Sequence, residues 1–85
     1  MEKEEDIIII EGYVEDQLPG GKFRVTLNRE SVIKALGSAP EGTLAAVAHI
    51  SGRIRKHRVR VLRGDRVTME VSKYSLDRGR IVKRL

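Results

Sequence analysis

The six residues Lys22-Phe-Arg-Val-Thr-Leu27 alternate strictly between polar and apolar side chains, and no other feature of this chain limits its fold as much. A period of two places Phe23, Val25 and Leu27 on one face of an extended strand and Lys22, Arg24 and Thr26 on the other, so one side must be buried and the other wet. In the preceding segment Ile8, Ile10, Gly12 and Val14 share a parity. Leu18-Pro19-Gly20-Gly21 then supplies a turn through the fixed φ of proline and the permissive glycines, so the first two strands form a hairpin. Downstream, Val67, Met69 and Val71 alternate with Arg66, Thr68 and Glu70 behind a Gly64-Asp65 turn. A last short strand is expected from about Arg80 to Lys83, after Asp77-Arg78-Gly79. Gly12, inside the first strand, marks a candidate bulge or bend of the kind that coils a small barrel. Four or five short strands with few helical signals predict an all-β fold, a closed or partly open antiparallel barrel.

A chain of 85 residues has room for one domain with one modest core, because small domains bury only about 60% of the surface their unfolded chains expose. That domain is expected to span residues 7–85, preceded by an acidic, flexible N-terminus over 1–6, and to be a monomer in isolation. With no cysteine in the sequence, neither a disulfide framework nor a thiolate metal site can support the fold, which suits a reducing cytoplasm. The longest apolar run, Ile7 to Ile10, is far short of the roughly 20 residues a membrane span needs, and the acidic start is the opposite of a signal peptide. A cytoplasmic protein without a membrane partner is therefore expected.

The net charge of +5 hides an asymmetry. Residues 1–20 carry seven acids against the single Lys3, a balance of −6, whereas residues 21–85 carry 16 bases against five acids, a balance of +11. Self-repulsion of that size is tolerated most easily when a polyanion neutralises it, which makes nucleic acid the leading partner. The excess is densest in His49-Ile-Ser-Gly-Arg-Ile-Arg-Lys-His-Arg-Val-Arg-Val-Leu-Arg-Gly-Asp65, where Ser51-Gly52 turns the chain and Arg53 to Lys56 has length for at most one helical turn. Arg53, Arg55, Lys56, Arg58, Arg60 and Arg63 are expected to ring one exposed edge of the barrel, with Val59 and Val61 pointing inward. Arg66 extends the candidate RNA-binding set, and His49, His57 and Tyr74 are further candidate contacts.

The chain holds only Phe23, Tyr13 and Tyr74 as aromatics. Phe23 lies on the apolar parity, and Tyr74 is the one aromatic expected outside the core. Base stacking on aromatic platforms therefore cannot be the main binding mode. Arginine contacts to phosphates and to the shape of a folded RNA fit the inventory better, and no recognition helix is available for a DNA major groove.

Enzymatic readings fare poorly. Ser51, His49 and Asp65 can be drawn as a triad, but serine before glycine is an ordinary turn. His49 and His57 lack the cysteine or neighbouring acid a metal site needs, so no metal and no cofactor is expected. Gly20-Gly21-Lys22 lacks the spacing and the following Ser or Thr of a phosphate-binding loop.

Between the second and third strands lies a long connection, Asn28 to Val47. Asn28 can cap a two-turn helix in which Val32, Ile33 and Leu36 share a face and which Gly37 ends. In the rival register Val32 to Leu36 is a strand that turns through Gly37-Ser-Ala-Pro-Glu-Gly42 and returns over Thr43 to Ala48. The helix or an irregular lobe is favoured, because those three side chains offer an apolar face for packing. Arg29 and Lys34 are offset by Glu30 and Glu41, which suits an accessory rather than the main RNA site.

A set of elements running in order along nearly the whole chain carries a family resemblance. They are Gly12-x-Val14, Leu18-Pro19, Phe23-x-Val25-x-Leu27, Ala48-His49-Ile50-Ser51-Gly52, Arg55-Lys56, Arg60, Gly64-Asp65-x-Val67 and Tyr74-x-Leu76-x-x-Gly79-Arg80-Ile81. Together they resemble bacterial translation initiation factor one. The resemblance implies a five-stranded oligonucleotide-binding barrel that docks on rRNA in the decoding (A) site of the small ribosomal subunit. There it keeps aminoacyl-tRNA out, perturbs the decoding helix and supports initiation factors two and three. The family's basic loop falls on Arg53, Arg55 and Lys56, followed by Arg60, and its C-terminal basic element on Arg80, Arg78 and Arg84. Three departures stand out: Arg58 where an aromatic is usual, Lys73 and Ser75 in place of the usual proline and aspartate beside Tyr74, and the length of the 28–47 connection. The alternatives from other classes are a general RNA chaperone of cold-shock type and a structural ribosomal protein.

Overall fold

The computed structural model describes residues 6–42, 44–52 and 60–85. The alternating segments form β1 (Ile7–Leu18), β2 (Lys22–Leu27), β3 (Ala45–Ile50), β4 (Arg66–Ser72) and β5 (Ser75–Arg84), and the helix α1 (Arg29–Leu36) lies between β2 and β3. The strands close into a barrel in the order β1-β2-β3-β5-β4. Neighbours pair antiparallel except β3 and β5, which run parallel, Val47 opposite Arg78 and Ile50 opposite Ile81. The barrel is closed, as the alternation allows, and has the five strands that the family resemblance implies, with one parallel seam that periodicity does not reveal.

The apolar parities converge on the interior. Ile10 and Val14 of β1, Phe23, Val25 and Leu27 of β2, Ala46 and Ala48 of β3, Val67, Met69 and Val71 of β4, and Ile81 of β5 are all buried. Sizes are matched across strands: the bulky Phe23 lies opposite Ala48 and Val25 opposite Ala46, so small residues on β3 leave room for large ones on β2. Each fully buried aliphatic side chain contributes roughly 1.5–3 kcal/mol relative to exposure, which makes this shared interior the main source of stability.

Two glycines let the barrel close. A Cβ built on Gly12 would lie 2.5 Å from Val25 Cγ1 and 3.1 Å from Thr26 O. One built on Gly79 would lie 2.6 Å from Met69 Cε, 2.7 Å from Val71 Cγ1 and 3.0 Å from Glu70 O. Gly12 thus serves close approach rather than a bulge: the register slip in β1 falls between Val14 and Asp16, at Glu15. Gly79 corrects a second expectation. The last strand does not start at about Arg80 but already at Ser75, so Asp77-Arg78-Gly79 lies within the ten-residue β5, and the turn before it is Lys73-Tyr74.

α1 resolves the two registers of the connection in favour of the helix. Asn28 Oδ1 accepts from Ser31 N at 3.0 Å, and Gly37, at φ 84°, closes the C-terminus with its N–H on Ile33 O. Val32 is buried and Leu36 partly so, but Ile33 stands 43% exposed, so the buried stripe is the i, i+4 pair rather than all three residues. Ala45 to Val47 belong to β3, which shortens the connection to Asn28–Leu44. The lobe is tied to β1, where Glu11 N donates to Ser31 Oγ at 3.0 Å and Glu11 O accepts from Asn28 N at 2.8 Å. The Arg29 guanidinium closes it by donating to the carbonyls of Pro40 and Gly42. Among the described residues no helix is long and apolar enough to cross a membrane.

Candidate nucleic-acid interface

Outward parity, combined with the strand order, assembles a cationic face. Lys22 on β2 lies opposite His49 on β3, and His49 lies opposite Arg80 on β5. One step along, Arg24 lies opposite Val47, and Val47 opposite Arg78. Four cations therefore surround a histidine and a valine that is 42% exposed. An open groove of about 880 Å³ runs over this face, lined among others by Lys22, Val47, His49, Glu70, Arg78 and Arg80. Among its described lining residues Glu70 is the sole acid.

Among the described residues Lys22, Arg24 and Arg78 make no ion pair or side-chain hydrogen bond, whereas Arg80 Nη2 donates to Glu70 Oε1 at 2.9 Å and to Oε2 at 3.2 Å. Like charges on β2 and β5, on either side of β3, repel one another in the free protein. The cost is recovered when a polyanion lies along them, and the exposed Val47 gives such a ligand an apolar floor. Gly79 is the local cause of this geometry. With no side chain, it lets β5 run tight against Met69 and Val71, so the flanking Arg78 and Arg80 project outward together.

The sequence-predicted residues divide into groups. Arg78, Arg80 and His49 meet on the β3–β5 face. Arg60, Arg63, Arg66 and Arg84 gather where β4 begins and β5 ends. There Arg84 Nη1 donates to Arg60 O at 2.9 Å, and Arg66 lies 3.7 Å from Glu11 in an exposed ion pair. Arg63 is exposed in the turn ahead of Asp65, whose Oδ2 accepts from Leu62 N at 2.8 Å, and Val61 points inward as expected. Arg53, Arg55, Lys56, His57, Arg58 and Val59 lie outside the described residues.

Tyr74 is 73% exposed in the β4–β5 turn, where its N–H donates to Ser72 Oγ at 3.1 Å and Lys73 Nζ lies 5.1 Å from its ring centre. Tyr74, and less so Asp6, raises the pKa of Lys73; the Asp6 carboxylate is 3.4 Å away. In the same hairpin the Ser75 hydroxyl donates to Asp77 Oδ1 at 2.7 Å and holds that carboxyl below its usual range. Tyr74 is not the only outward aromatic. Tyr13, on the odd parity of β1, is 46% exposed, because it lies between Thr26 and Arg66 on the wet side of the barrel.

Lys22 and Arg24 are candidate contacts that the sequence-predicted set does not contain. Their outward parity was legible, but the proximity to Arg78 depends on β3 lying between β2 and β5. The drawn triad is not assembled for catalysis: His49 faces outward, Ser51 is buried with its N–H on Ile81 O at 2.9 Å, and the Asp65 carboxylate closes its own turn. Among the described residues no group of three potential ligands could hold a metal ion.

Comparison with known proteins places this geometry in context. The chain is similar to translation initiation factor IF-1 2 of Bordetella avium (strain 197N), with 44% identity over 77 residues, 91% of this chain and 73% of that protein. Its fold is similar to the solution structure of translation initiation factor one from the Wolbachia endosymbiont strain TRS of Brugia malayi. The TM-score there is 0.64 and the identity 31%, covering 99% of this chain and 84% of that one. No protein-family model matches the chain.

Proposed function

Because this chain belongs to the translation initiation factor one family, we propose that it binds rRNA in the decoding (A) site of the small ribosomal subunit. Bound there, it keeps aminoacyl-tRNA out and supports assembly with initiation factors two and three. The observation that carries this reading is the set of exposed cations with no ion pair or side-chain hydrogen bond among the described residues, Lys22, Arg24 and Arg78, gathered around Val47 and His49. Arg80, held by Glu70, completes the set on the sheet face; Arg53, Arg55, Lys56 and Arg58, with Arg60 and Arg63, extend the contact along the basic loop, and Arg66 and Arg84 add charge at its margins. Arginine suits this task because its planar guanidinium matches phosphate oxygens and stacks on splayed bases.

A cold-shock-like mode would need aromatic platforms on the binding face. Phe23 is buried, and neither Tyr13 nor Tyr74 lines the groove. The α1 lobe serves as an accessory: Arg29 is spent on the carbonyls of its own loop, which leaves Lys34 as the lobe's free cation among the described residues. The protein works in the cytoplasm, and as a monomer before docking, since among the described residues the closed barrel leaves no unpaired strand edge to template self-association.

Competition tests the proposal. Saturating protein should prevent aminoacyl-tRNA from entering the decoding site of isolated small subunits, with inhibition that titrates with subunit occupancy. Unimpeded tRNA entry on subunits shown to carry the protein would overturn the assignment.

A further inference from the structure

Glu70 is out of place in a groove built from cations. It lies opposite Arg80 on the β4–β5 pair, and both its oxygens engage the same guanidinium nitrogen, at 2.9 and 3.2 Å. Arg80 is in turn the cross-strand neighbour of His49, in the row that begins with Lys22. A carboxylate here is not needed for the barrel interior, since its side chain projects from the wet parity of β4 between the buried Met69 and Val71. What it changes is the charge that Arg80 presents.

We propose that Glu70 is a specificity-determining latch: it holds Arg80 as a neutral pair against any loosely bound polyanion and releases it to RNA that fits the groove. This inference rests on the RNA-binding reading above. The physical basis is a comparison of strengths. The pair is partly exposed, with side chains 50% and 29% accessible, and exposed ion pairs are weak. A phosphate held in place by Lys22, Arg24 and Arg78 can displace the carboxylate. A mobile single strand that makes few simultaneous contacts gains little by doing so. Arg80 thus contributes least to non-specific binding, which depends on the number of available cations.

The test compares wild type with Glu70→Gln, which keeps shape and hydrogen bonding but removes the charge, using a short oligouridylate as the non-specific probe across a salt series. The expected result is a plot of log K against log salt steeper by about 0.7, one further phosphate contact on a single strand, and an affinity higher by roughly fivefold at about 0.1 M salt. The same substitution in an Arg80→Ala background should change neither quantity, because the latch then has nothing to hold. An unchanged slope, a weakened affinity, or an equal effect without Arg80 would each overturn the proposal. Glu70→Ala, checked for an intact thermal transition, must repeat the result. Arg78→Ala serves as the separate control for RNA binding on this face. If it lowers the slope while Glu70→Gln does nothing, only the latch fails; if it also does nothing, the groove itself is wrongly assigned.

Discussion

Replacing Lys22, Arg24 and Arg78 together by alanine is expected to weaken binding to the small subunit by roughly 10²–10³ at about 0.1 M salt. Each phosphate contact contributes about 0.7–0.9 to the slope of log K against log salt, so the slope should fall by roughly 2–3. The loss should come without unfolding, because the three side chains are exposed and make no ion pair or side-chain hydrogen bond among the described residues, and substitutions at such sites usually stay within about 0.5 kcal/mol. Removing Arg53, Arg55, Lys56 and Arg60 should cost a similar amount per cation. The two sets should be roughly additive if loop and sheet face touch separate phosphates. Binding that keeps its slope after loss of the sheet-face cations would remove β2, β3 and β5 from the interface and leave the loop alone.

The second large effect concerns the interior. Gly79→Ala should destabilise the protein by about 2–3 kcal/mol, within the usual cost of overpacking a dense core. Two contributions oppose each other. Alanine lowers the entropy of the unfolded chain, a gain of about 0.4–1 kcal/mol. The new methyl, however, would sit 2.6 Å from Met69 Cε, 2.7 Å from Val71 Cγ1 and 3.0 Å from Glu70 O. The methionine can swing away, but the branched valine and the backbone carbonyl cannot, so the steric cost wins. For a domain of this size each kcal/mol lowers Tm by about 4–8 °C, so a drop of at least about 8 °C is expected in thermal unfolding. Met69→Ala alone opens a cavity and should cost about 2–5 kcal/mol. The double variant should cost less than the sum of the two, because the missing methionine makes room for the methyl, while Val71 and Glu70 O keep the relief incomplete. A Tm unchanged by Gly79→Ala would mean that β5 does not pass this close to β4. The substitution should also weaken RNA binding, since Arg78 and Arg80 flank the displaced glycine.

Gly79 illustrates where local sequence signals and tertiary structure part. Asp-Arg-Gly is an ordinary turn signal, and only the crowding by Met69 and Val71 across the barrel turns the same glycine into a strand residue. The Lys22–Leu27 alternation, the Asn28 cap and the Gly37 stop were legible because their causes are local. The β3–β5 seam was not, because a parallel pairing between residues about thirty positions apart leaves no periodic trace. The candidate site divides the same way. Arg78 and Arg80 were visible as charges, but Lys22 and Arg24 joined them only through the strand order. The outward placement of Tyr13 had a signal, its odd parity beside Gly12 and Val14, which outweighs the general tendency of aromatics to be buried. Ile33 looked like a core residue until the helix packed along Val32 and Leu36.

If the outer face of β2, β3 and β5 lies against rRNA in the decoding site, directed hydroxyl-radical probing will report it. The sequence contains no cysteine, so a single one introduced at Ala45, exposed on β3, can carry a tethered iron chelate without interference. Strand cleavage is expected in the decoding helix and its neighbouring loop, and weaker or absent cleavage there from a cysteine placed at Ala35 on the exposed side of α1. Cleavage confined to another part of the subunit, or stronger at the decoding helix from Ala35 than from Ala45, would contradict it.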